Sequence, residues 1–351
     1  MFENILRTYG LDPLKTNVQQ FGDGLINHTW KVHTDERNYI LQKVNSDVFK
    51  KPADIDQNIS LLRDYLKEED PDYLFISPVV AENGESLIHI ENGYYRLFPF
   101  VEGSVSLNTL TKKEEAYEAA KQFGKFSKML DGFKVDELNI TIPNFHNLAL
   151  RFEQFTNACS GASAERLENA RESIRFINEQ QEIVTIYNEI LNNTEIPLRV
   201  IHHDTKISNI LFDEHNNGLC VIDLDTVMPG YFISDVGDMM RTYLSAVSEE
   251  ETNFSKIHIR KEFFKAIYDG YMGEMKDVLT DAEKTYFTYG GKFIIYMQAI
   301  RFLADYLQDD IYYGAKYEGH NFNRANNQIT LLKQYLEIEQ ELLSYQLTTS
   351  R

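Results

Sequence analysis

Short stretches of alternating or β-rich residues dominate the first hundred positions, and turn residues separate them. Alternating apolar and polar side chains predict half-buried strands, and Gly, Asn or Asp between two stretches predicts a hairpin turn. Residues 57–67 differ, because Ile59, Leu62, Tyr65 and Leu66 fall on one face of a helix. The pattern predicts an antiparallel meander with strands at 18–21, 27–33, 38–44, 86–90 and 94–101.

Beyond residue 102 the apolar residues recur at helical spacing. Ala119, Phe123, Phe126 and Met129 mark a helix over residues 112–130, and residues 131–148 look irregular. Further helices are expected over 149–193 (one or two), 236–248, 256–276, 281–308 and 325–347. The expected fold class is α+β in two lobes: a small antiparallel β-rich N-lobe at 1–102 and a mainly helical C-lobe at 103–351.

Between residues 200 and 224, polar residues with a distinct spacing follow short apolar runs. His202, Asp204, Lys206 and Asn209 follow the run at Val200 and Ile201, and Asp223 ends a later run. Apolar runs this short predict buried strands on both sides of a polar loop. We therefore expect the two carboxylates at neighbouring strand ends that face one cleft.

These side chains suit phosphoryl transfer. A carboxylate can accept the proton of an attacking hydroxyl, a lysine can neutralise phosphate oxygens, and Asn and Asp oxygens are suitable Mg²⁺ ligands. The step from Asp204 to Asn209, with Asp223 beyond, matches the spacing of the kinase catalytic loop. A zinc site at His202 and His203 is disfavoured, because adjacent strand residues point to opposite faces and both cysteines lie far away in the sequence.

The bulk properties narrow the class of protein. A length of 351 residues with 43% apolar and 25% charged residues is typical of a folded globular protein of two lobes. The net charge of −19 argues against nucleic acid and anionic membranes as partners. Two cysteines form no disulfide framework, and the N-terminus is too polar for a signal peptide, so a cytoplasmic location is expected.

With the catalytic loop and the lobe order, the chain resembles the aminoglycoside phosphotransferase and choline kinase family, whose fold is protein-kinase-like. Within that family, several segments look like the N-acetylhexosamine 1-kinases, which act on the anomeric hydroxyl of N-acetylglucosamine or N-acetylgalactosamine. The segments that carry the resemblance are GDGLINHTWKV, NYILQKVN, HHDTKISNILFD, CVIDLDTVMPG and AIRFLADYLQDDIYY.

The resemblance implies ATP and Mg²⁺ as cofactors and assigns roles to the catalytic loop. Asp204 corresponds to the catalytic base, and His202 corresponds to the histidine that braces the loop. Lys206 corresponds to the lysine that contacts the transferred phosphate, while Asn209 and Asp223 correspond to the Mg²⁺ ligands.

The same resemblance implies a nucleotide site in the N-lobe. The loop formed by Gly22, Asp23 and Gly24 would cover the phosphates, and Pro99, Phe100 and Val101 would form the hinge that binds adenine. Either Lys43 pairs with the phosphates, or Gln42 occupies that position and the cation is missing, since alternation lets only one of them face the cleft. Three residues compete as the acidic partner in the following helix: Asp54, Asp56 and Asp64.

For the sugar, the resemblance implies six binding residues: Asn27, His28, Asp225, Arg301, Asp305 and Tyr312. Arg301 and Asp305 lie four residues apart on one predicted helix, so they could instead form an intrahelical ion pair. His28 could equally be a strand residue bonded to backbone. Asp235 and Asp238 are expected to cap a helix and hold the catalytic loop.

Two alternative functions stay open. One is phosphorylation of a cationic acceptor such as an aminoglycoside, choline or another amino alcohol, which the acidic composition would suit. The other is an inactive nucleotide-binding protein, favoured only by the uncertain strand lysine. For the N-acetylhexosamine kinase that the resemblance implies, the expected partner is a small-molecule sugar, with no nucleic acid and no membrane.

Overall fold

The computed structural model describes residues 2–22, 26–91 and 93–349. Its N-terminal part contains an antiparallel sheet of five strands in the spatial order β1-β2-β3-β5-β4. The strands are β1 (Asn17–Gln20), β2 (His28–His33), β3 (Asn38–Val44), β4 (Leu87–Ile90) and β5 (Gly93–Pro99). Two helices accompany them, α1 (Phe2–Thr8) and α2 (Pro52–Glu69).

The two faces of this sheet have different neighbours. Tyr39 and Leu41 of β3 and Tyr95 and Leu97 of β5 point to one face, where they form a small core that includes Ile5 of α1. The intervening residues of β3 and β5 point to the other face, as strand alternation requires. Val44 on that second face belongs to the large hydrophobic core of the molecule, so the second face looks toward the helical part.

The C-terminal part is mainly helical. Its helices are α3 (Lys113–Met129), α4 (Leu148–Gly161), α5 (Ala164–Asn169), α6 (Arg171–Glu179), α7 (Glu182–Leu191), α8 (Ile233–Tyr243), α9 (Lys261–Met275), α10 (Asp281–Thr285), α11 (Phe287–Leu307) and α12 (His320–Thr349). Its short strands are β6 (Val105–Ser106), β7 (Arg199–Ile201), β8 (Ile210–Phe212), β9 (Gly218–Val221) and β10 (Met228–Gly230). Strand β8 lies between β6 and β9, and β7 pairs with β10.

Segments predicted as long helices are divided in the structure. Residues 149–193 form four helices, because the Ser163 hydroxyl caps a new helix by accepting from Arg166 N and the chain turns again at Ala170 and Gln180. The predicted helix at 281–308 is interrupted at Tyr286. The prediction of an antiparallel β-rich N-terminal part and a helical C-terminal part is confirmed, and a boundary at residue 102 stays a prediction.

Helices α8 and α11 cross at two glycines. A Cβ atom on Gly237 would lie 2.2 Å from the carbonyl oxygen of Gly290. Only residues without a side chain permit this approach. The close crossing fixes the N-terminal half of α8 against the buried helix α11, and that half of α8 carries Asp235 and Asp238.

Helix α2 packs on the large core although it belongs to the N-terminal segment. Its apolar face, including Ile55, Ile59 and Leu62, is part of that core. Asn58 is 1% exposed and donates hydrogen bonds to the carbonyl oxygens of Asn139 and Val227. Separately, none of the helices in the described ranges is both long and apolar enough for a membrane crossing.

Candidate active site

The catalytic loop begins where β7 ends, and α8 holds its backbone. Asp235 accepts hydrogen bonds from His202 N at 3.0 Å and His203 N at 2.7 Å. Asp238 accepts from Thr205 N at 2.9 Å, and Tyr243 donates to the Thr205 carbonyl oxygen at 2.7 Å. The prediction that Asp235 and Asp238 hold this loop is confirmed, but neither caps α8, whose N-cap residue is Phe232.

The Asp204 carboxylate lies at the centre of this loop. Its Oδ2 accepts from Lys206 Nζ at 2.8 Å and from Asn209 Nδ2 at 3.1 Å. Burial alone would raise the pKa of Asp204, but the charge of Lys206 and these hydrogen bonds outweigh it, so the pKa lies below its ordinary value. Burial likewise opposes charge on Lys206, but the neighbouring carboxylates of Asp204 and Asp223 raise the pKa of its ammonium group. At neutral pH the loop therefore holds a carboxylate beside an ammonium group.

His202 joins the Asp204 segment to the Asp223 segment. Its Nε2 donates to the Ile222 carbonyl oxygen at 3.0 Å, and its Nδ1 accepts from Asp204 N at 3.3 Å. This pattern fits one neutral tautomer, and burial lowers the pKa of His202. The ring packs edge-on against Phe123 and Phe126 of α3, so its orientation is set by packing as well as by hydrogen bonds.

Asp223 stands at the end of β9 in the left-handed region, with φ 62°. Burial and the nearby carboxylates of Asp225 and Asp204 raise its pKa to about 7, against the opposing charge of Lys206. Its carboxylate accepts no hydrogen bond from the described residues. A desolvated carboxylate without a hydrogen-bond donor is well suited to a cation.

The residues present fit a magnesium ion. Asn209 uses its Nδ2 on Asp204, which leaves its Oδ1 available, and the Asp223 carboxylate provides further oxygen ligands. The backbone also brings the two segments together, since Ile222 N donates to the Asn209 carbonyl oxygen at 2.9 Å. In the described residues no group of three or more His, Cys, Asp or Glu side chains is placed to hold a metal, so the proposed ligand set depends on the Asn209 amide oxygen.

Strand β3 presents Gln42 rather than Lys43 to the cleft. Gln42 lies opposite Arg96 in the sheet, and Lys43 lies opposite Tyr95, which belongs to the small core. The Lys43 side chain runs over Gly93, where an added Cβ would meet its Cε at 2.8 Å. Of the two residues that the sequence left open, it is the glutamine that shares the sheet face of Arg96.

A buried network on the cleft face of the sheet was not predicted. The Arg96 Nη2 atom lies 2.5 Å from Asp225 Oδ1, and each side chain is 3% exposed. Arg96 also donates to Gln42 Oε1 from Nε and Nη2 at 3.2 and 2.9 Å. Asn27 Nδ2 donates to Asp225 Oδ2 at 2.8 Å, while Asn27 Oδ1 accepts from Asn45 N. Asp225 therefore connects the segment after β9 to strand β5 and to the residue that precedes β2.

None of the candidate acids in α2 joins this network. Asp54 lies beside Lys51, Asp56 accepts from the Ser86 hydroxyl, and Asp64 lies beside Arg63. Arg96 instead pairs with Asp225, which comes from the segment after β9.

The predicted hinge follows β5. Phe100 packs edge-on against Phe21 at 6.2 Å, and Lys31 Nζ lies 3.6 Å from its ring centre. The Val101 carbonyl oxygen accepts from Ser104, while the Val101 N–H has no acceptor in the described residues. Gly22 has φ 72°. The other two members of the predicted phosphate loop, Asp23 and Gly24, lie outside the described residues.

The predicted sugar residues are only partly brought together. Asp305, 3% exposed, accepts from Tyr312 N, Tyr313 N and Asn321 Nδ2, so it anchors the loop after α11 and forms no ion pair with Arg301. Tyr312 is 72% exposed on that loop. His28 is exposed and lies on the Lys43 side of the sheet, 6.2 Å from the Trp30 ring.

A group of basic side chains beside the catalytic loop was also not predicted. The His146 ring lies 5.3 Å from the His203 ring. Burial is the main reason that the pKa of His146 is low; the neighbouring His203 lowers it further, as do the charges of Arg301, Arg241 and Arg151. Arg241 pairs with Asp238, but neither Arg151 nor Arg301 has a carboxylate partner among the described residues. No sequence spacing relates these residues, because they come from different elements.

The fold is protein-kinase-like, and several solved structures share it. Described structures that share this fold include a microcompartment-associated aminopropanol kinase, with 15% identity over 96% of this chain and 97% of that chain and a TM-score of 0.68. A spectinomycin phosphotransferase in complex with ADP and spectinomycin has 13% identity over 97% of this chain and 96% of that chain, with a TM-score of 0.59. A choline kinase from Cryptosporidium parvum has 15% identity, coverage of 98% and 96%, and a TM-score of 0.55.

The family itself is shown by sequence. A model described as the phosphotransferase enzyme family matches residues 17–268 of this chain. The chain belongs to this family and is a small-molecule phosphotransferase. The prediction of the protein-kinase-like fold is confirmed by the same comparisons.

Proposed function

We propose that this protein is an ATP- and Mg²⁺-dependent kinase that phosphorylates an N-acetylhexosamine, N-acetylglucosamine or N-acetylgalactosamine, at its anomeric hydroxyl. The nucleotide is supported by the ADP-bound spectinomycin phosphotransferase that shares the fold. The metal is supported by the Asp223 carboxylate and the Asn209 amide oxygen described above.

In this proposal Asp204 is the catalytic base. The lowered pKa of Asp204 keeps it ionised, so it can orient the acceptor hydroxyl and accept its proton as the oxygen attacks the γ-phosphorus. The new O–P bond forms while the bond from the γ-phosphorus to the bridging oxygen of ADP breaks. A weak base suffices, because the acceptor oxygen becomes acidic only late in a loose transition state.

The remaining loop residues keep this geometry and balance the charge. Lys206 is held 2.8 Å from Asp204, where its ammonium group can neutralise oxygens of the transferred phosphoryl group. His202 holds the loop against the Asp223 segment. A bound Mg²⁺ ion would neutralise charge on the nucleotide phosphates, and Asn209 and Asp223 would hold it.

The proposal of a sugar rather than a cationic acceptor rests on the positive charge near the proposed acceptor site. Arg301 and Arg151 lie close enough that burial and the charge of Arg301 lower the pKa of Arg151, and neither has a described carboxylate partner. A cationic acceptor would have to approach these two positive charges, which disfavours it by Coulomb repulsion. Sugar hydroxyls and an N-acetyl carbonyl oxygen instead accept hydrogen bonds from guanidinium groups.

Within the proposed acceptor site, each residue has a proposed role. Arg301 supplies the donor, and Tyr312 offers an exposed ring on which a sugar can pack. Asp305 positions the Tyr312 loop, and Asn27 and Asp225 line the junction between the lobes. His28 stays a proposed sugar residue from resemblance, with no described contact to this group.

An amine acceptor is the second candidate. The net charge of −19 favours it over the whole surface, and the neighbours with this fold include an aminopropanol kinase and a choline kinase. The local arginines oppose it at the proposed acceptor position. At short range in a desolvated cleft, local charges outweigh distant surface charges that solvent and salt screen.

The experiment is an acceptor panel with ATP and Mg²⁺. N-acetylglucosamine, N-acetylgalactosamine, choline, ethanolamine, kanamycin and spectinomycin are each incubated with the enzyme, and ³¹P NMR identifies the product. The control is the methyl glycoside of N-acetylglucosamine, in which the anomeric oxygen is blocked. Product from the free sugars but not from the glycoside supports the proposal, whereas product from the amines alone overturns it.

A further inference from the structure

We propose that Arg96 is the cation that binds the nucleotide phosphates in this protein. Protein kinases place a lysine on the third strand for that role, but this chain presents Gln42 there. The inference rests on the proposed kinase function, because it assigns a residue to the nucleotide site of the same reaction.

The position of Arg96 is the first support. It lies directly across the sheet from Gln42, on the cleft face, and Gln42 Oε1 accepts two of its N–H groups. The glutamine therefore acts as a holder for the arginine on the next strand. Compared with protein kinases, the cation of this protein lies on the neighbouring strand of the sheet, on the same cleft-facing side.

The charges around Arg96 are the second support. Its ion pair with Asp225 places it beside the segment that carries Asp223. Asp225 follows Asp223 by two residues, so Arg96 lies beside the segment where the metal and the nucleotide phosphates would meet.

The geometry of the guanidinium is the third support. Nε and Nη2 are used by Gln42 and Asp225, whereas Nη1 has no acceptor in the described ranges. A planar guanidinium fixed on two sides presents its remaining N–H groups in a set direction, which suits phosphate oxygens. A flexible lysine ammonium would not be fixed in the same way.

The other lysines near the cleft either contact other groups or lie on the other side of the sheet. Lys206 pairs with Asp204, and Lys31 lies over the Phe100 ring at the hinge. Lys43 is on the opposite side of the sheet. Among the described residues, Arg96 is thus the cation of the sheet that lies beside the Asp223 and Asp225 segment.

A purely structural role for the ion pair is the competing explanation. Breaking a buried pair leaves one charge unpaired and is strongly destabilising, so loss of activity alone would not separate the two roles. The phosphate-binding role and the structural role can be distinguished by comparing ligands with and without phosphates. A phosphate contact affects ADP and not adenosine, whereas a distorted cleft affects both.

The test is isothermal titration of ADP and of adenosine, each with Mg²⁺, to wild type, Arg96→Gln and the control Arg37→Gln. Arg37 is an exposed arginine in the turn between β2 and β3, and it packs on Tyr39. We expect Arg96→Gln to weaken ADP binding by about tenfold or more, as for loss of a charge-assisted hydrogen bond, and to leave adenosine within about twofold. The control should change neither.

Two further variants keep the test decisive if Arg96→Gln is too unstable to fold. Arg96→Gln with Asp225→Asn removes both charges and restores stability without restoring a phosphate contact, so ADP binding should stay weak. Adding Gln42→Lys to Arg96→Gln should recover part of the ADP affinity. ADP affinity unchanged in a folded Arg96→Gln, or ADP and adenosine weakened equally, would overturn the inference; a wild type that binds no ADP would instead overturn the proposed function.

Discussion

His202 donates a hydrogen bond from Nε2 to the carbonyl oxygen of Ile222 at 3.0 Å. This contact connects the loop that carries Asp204 to the strand end that carries Asp223. The ring is fixed between that carbonyl and Phe123 and Phe126 of α3. Two residues nineteen positions apart in sequence are thereby held in one cleft.

Loss of the Asp235 carboxylate should destabilise the fold. In Asp235→Ala the buried N–H groups of His202 and His203 lose their acceptors, and each unsatisfied group costs about 1–3 kcal/mol. We expect the free energy of unfolding to fall by about 2–5 kcal/mol in urea denaturation. Asp64→Ala, an exposed aspartate on α2, is the control and should change it by less than about 0.5 kcal/mol. An equal, small effect of both would show that α8 does not hold the loop.

Acid should destabilise the protein through His203. Burial lowers the pKa of His203 from 6.5 to about 4, so the unfolded state binds the proton more tightly than the folded state. The contribution is complete above pH 6.5 and is lost as the pH falls toward 4, by about 3 kcal/mol in all. His203→Asn keeps a side chain that tolerates the φ of 65°.

The measurement for His203 is the free energy of unfolding at several pH values between 7 and 4. The difference between wild type and His203→Asn should shrink as the pH falls, because the variant has no imidazole to protonate. A constant difference over this range would mean that His203 does not titrate as its burial requires. Other groups also titrate in this range, such as Asp235, whose pKa is raised by burial to about 7. Their contributions to the pH dependence are present in both proteins and cancel in the difference.

The catalytic loop could be predicted from sequence because its signal is local. Asp204, Lys206 and Asn209 lie within one short segment between apolar strands, so their proximity needs no knowledge of distant contacts. Asp223 is slightly further away, but it follows the next strand pair. The two-part fold was predictable for a similar reason, since strand alternation and helical spacing are read over short windows.

The parts that could not be predicted depend on which face of an element is buried. Alternation shows that Gln42 and Lys43 point to opposite sides, but only the packing of α1 on the sheet shows which side is the cleft. Arg96 pairs with Asp225, which lies 129 positions later in the sequence. The buried hydrogen bonds of Asp305 likewise require the loop that folds back onto it.

Asp223→Asn should weaken binding of the metal. A neutral amide replaces the carboxylate that has no described donor, so the charge that attracts the cation is lost. Mn²⁺ titration in the presence of ADP, followed by electron paramagnetic resonance, should show affinity reduced by about tenfold or more. Asp213→Asn, in the exposed turn after β8, serves as the matched control. Retention of full Mn²⁺ affinity in Asp223→Asn would remove this residue from the metal site.

Arg301→Gln should weaken binding of the sugar more than it slows the chemistry. Loss of hydrogen bonds from a charged donor costs about 1.5–3 kcal/mol, which is about 10- to 100-fold in KM for the sugar. Arg175→Gln, on the exposed side of α6, should leave KM unchanged. If Arg301→Gln instead improved turnover of choline or kanamycin and left the sugar unaffected, the acceptor assignment would be reversed.

The decisive measurement for Asp204 as the catalytic base is single-turnover transfer from radiolabelled ATP to N-acetylglucosamine by wild type and Asp204→Asn. The asparagine can keep the hydrogen-bond shape of the loop but cannot accept the proton, so we expect the transfer rate to fall by about 10²- to 10⁴-fold. ADP affinity and circular dichroism should match wild type, which separates chemistry from folding. A transfer rate within about tenfold of wild type would contradict the central claim that Asp204 is the base of a kinase.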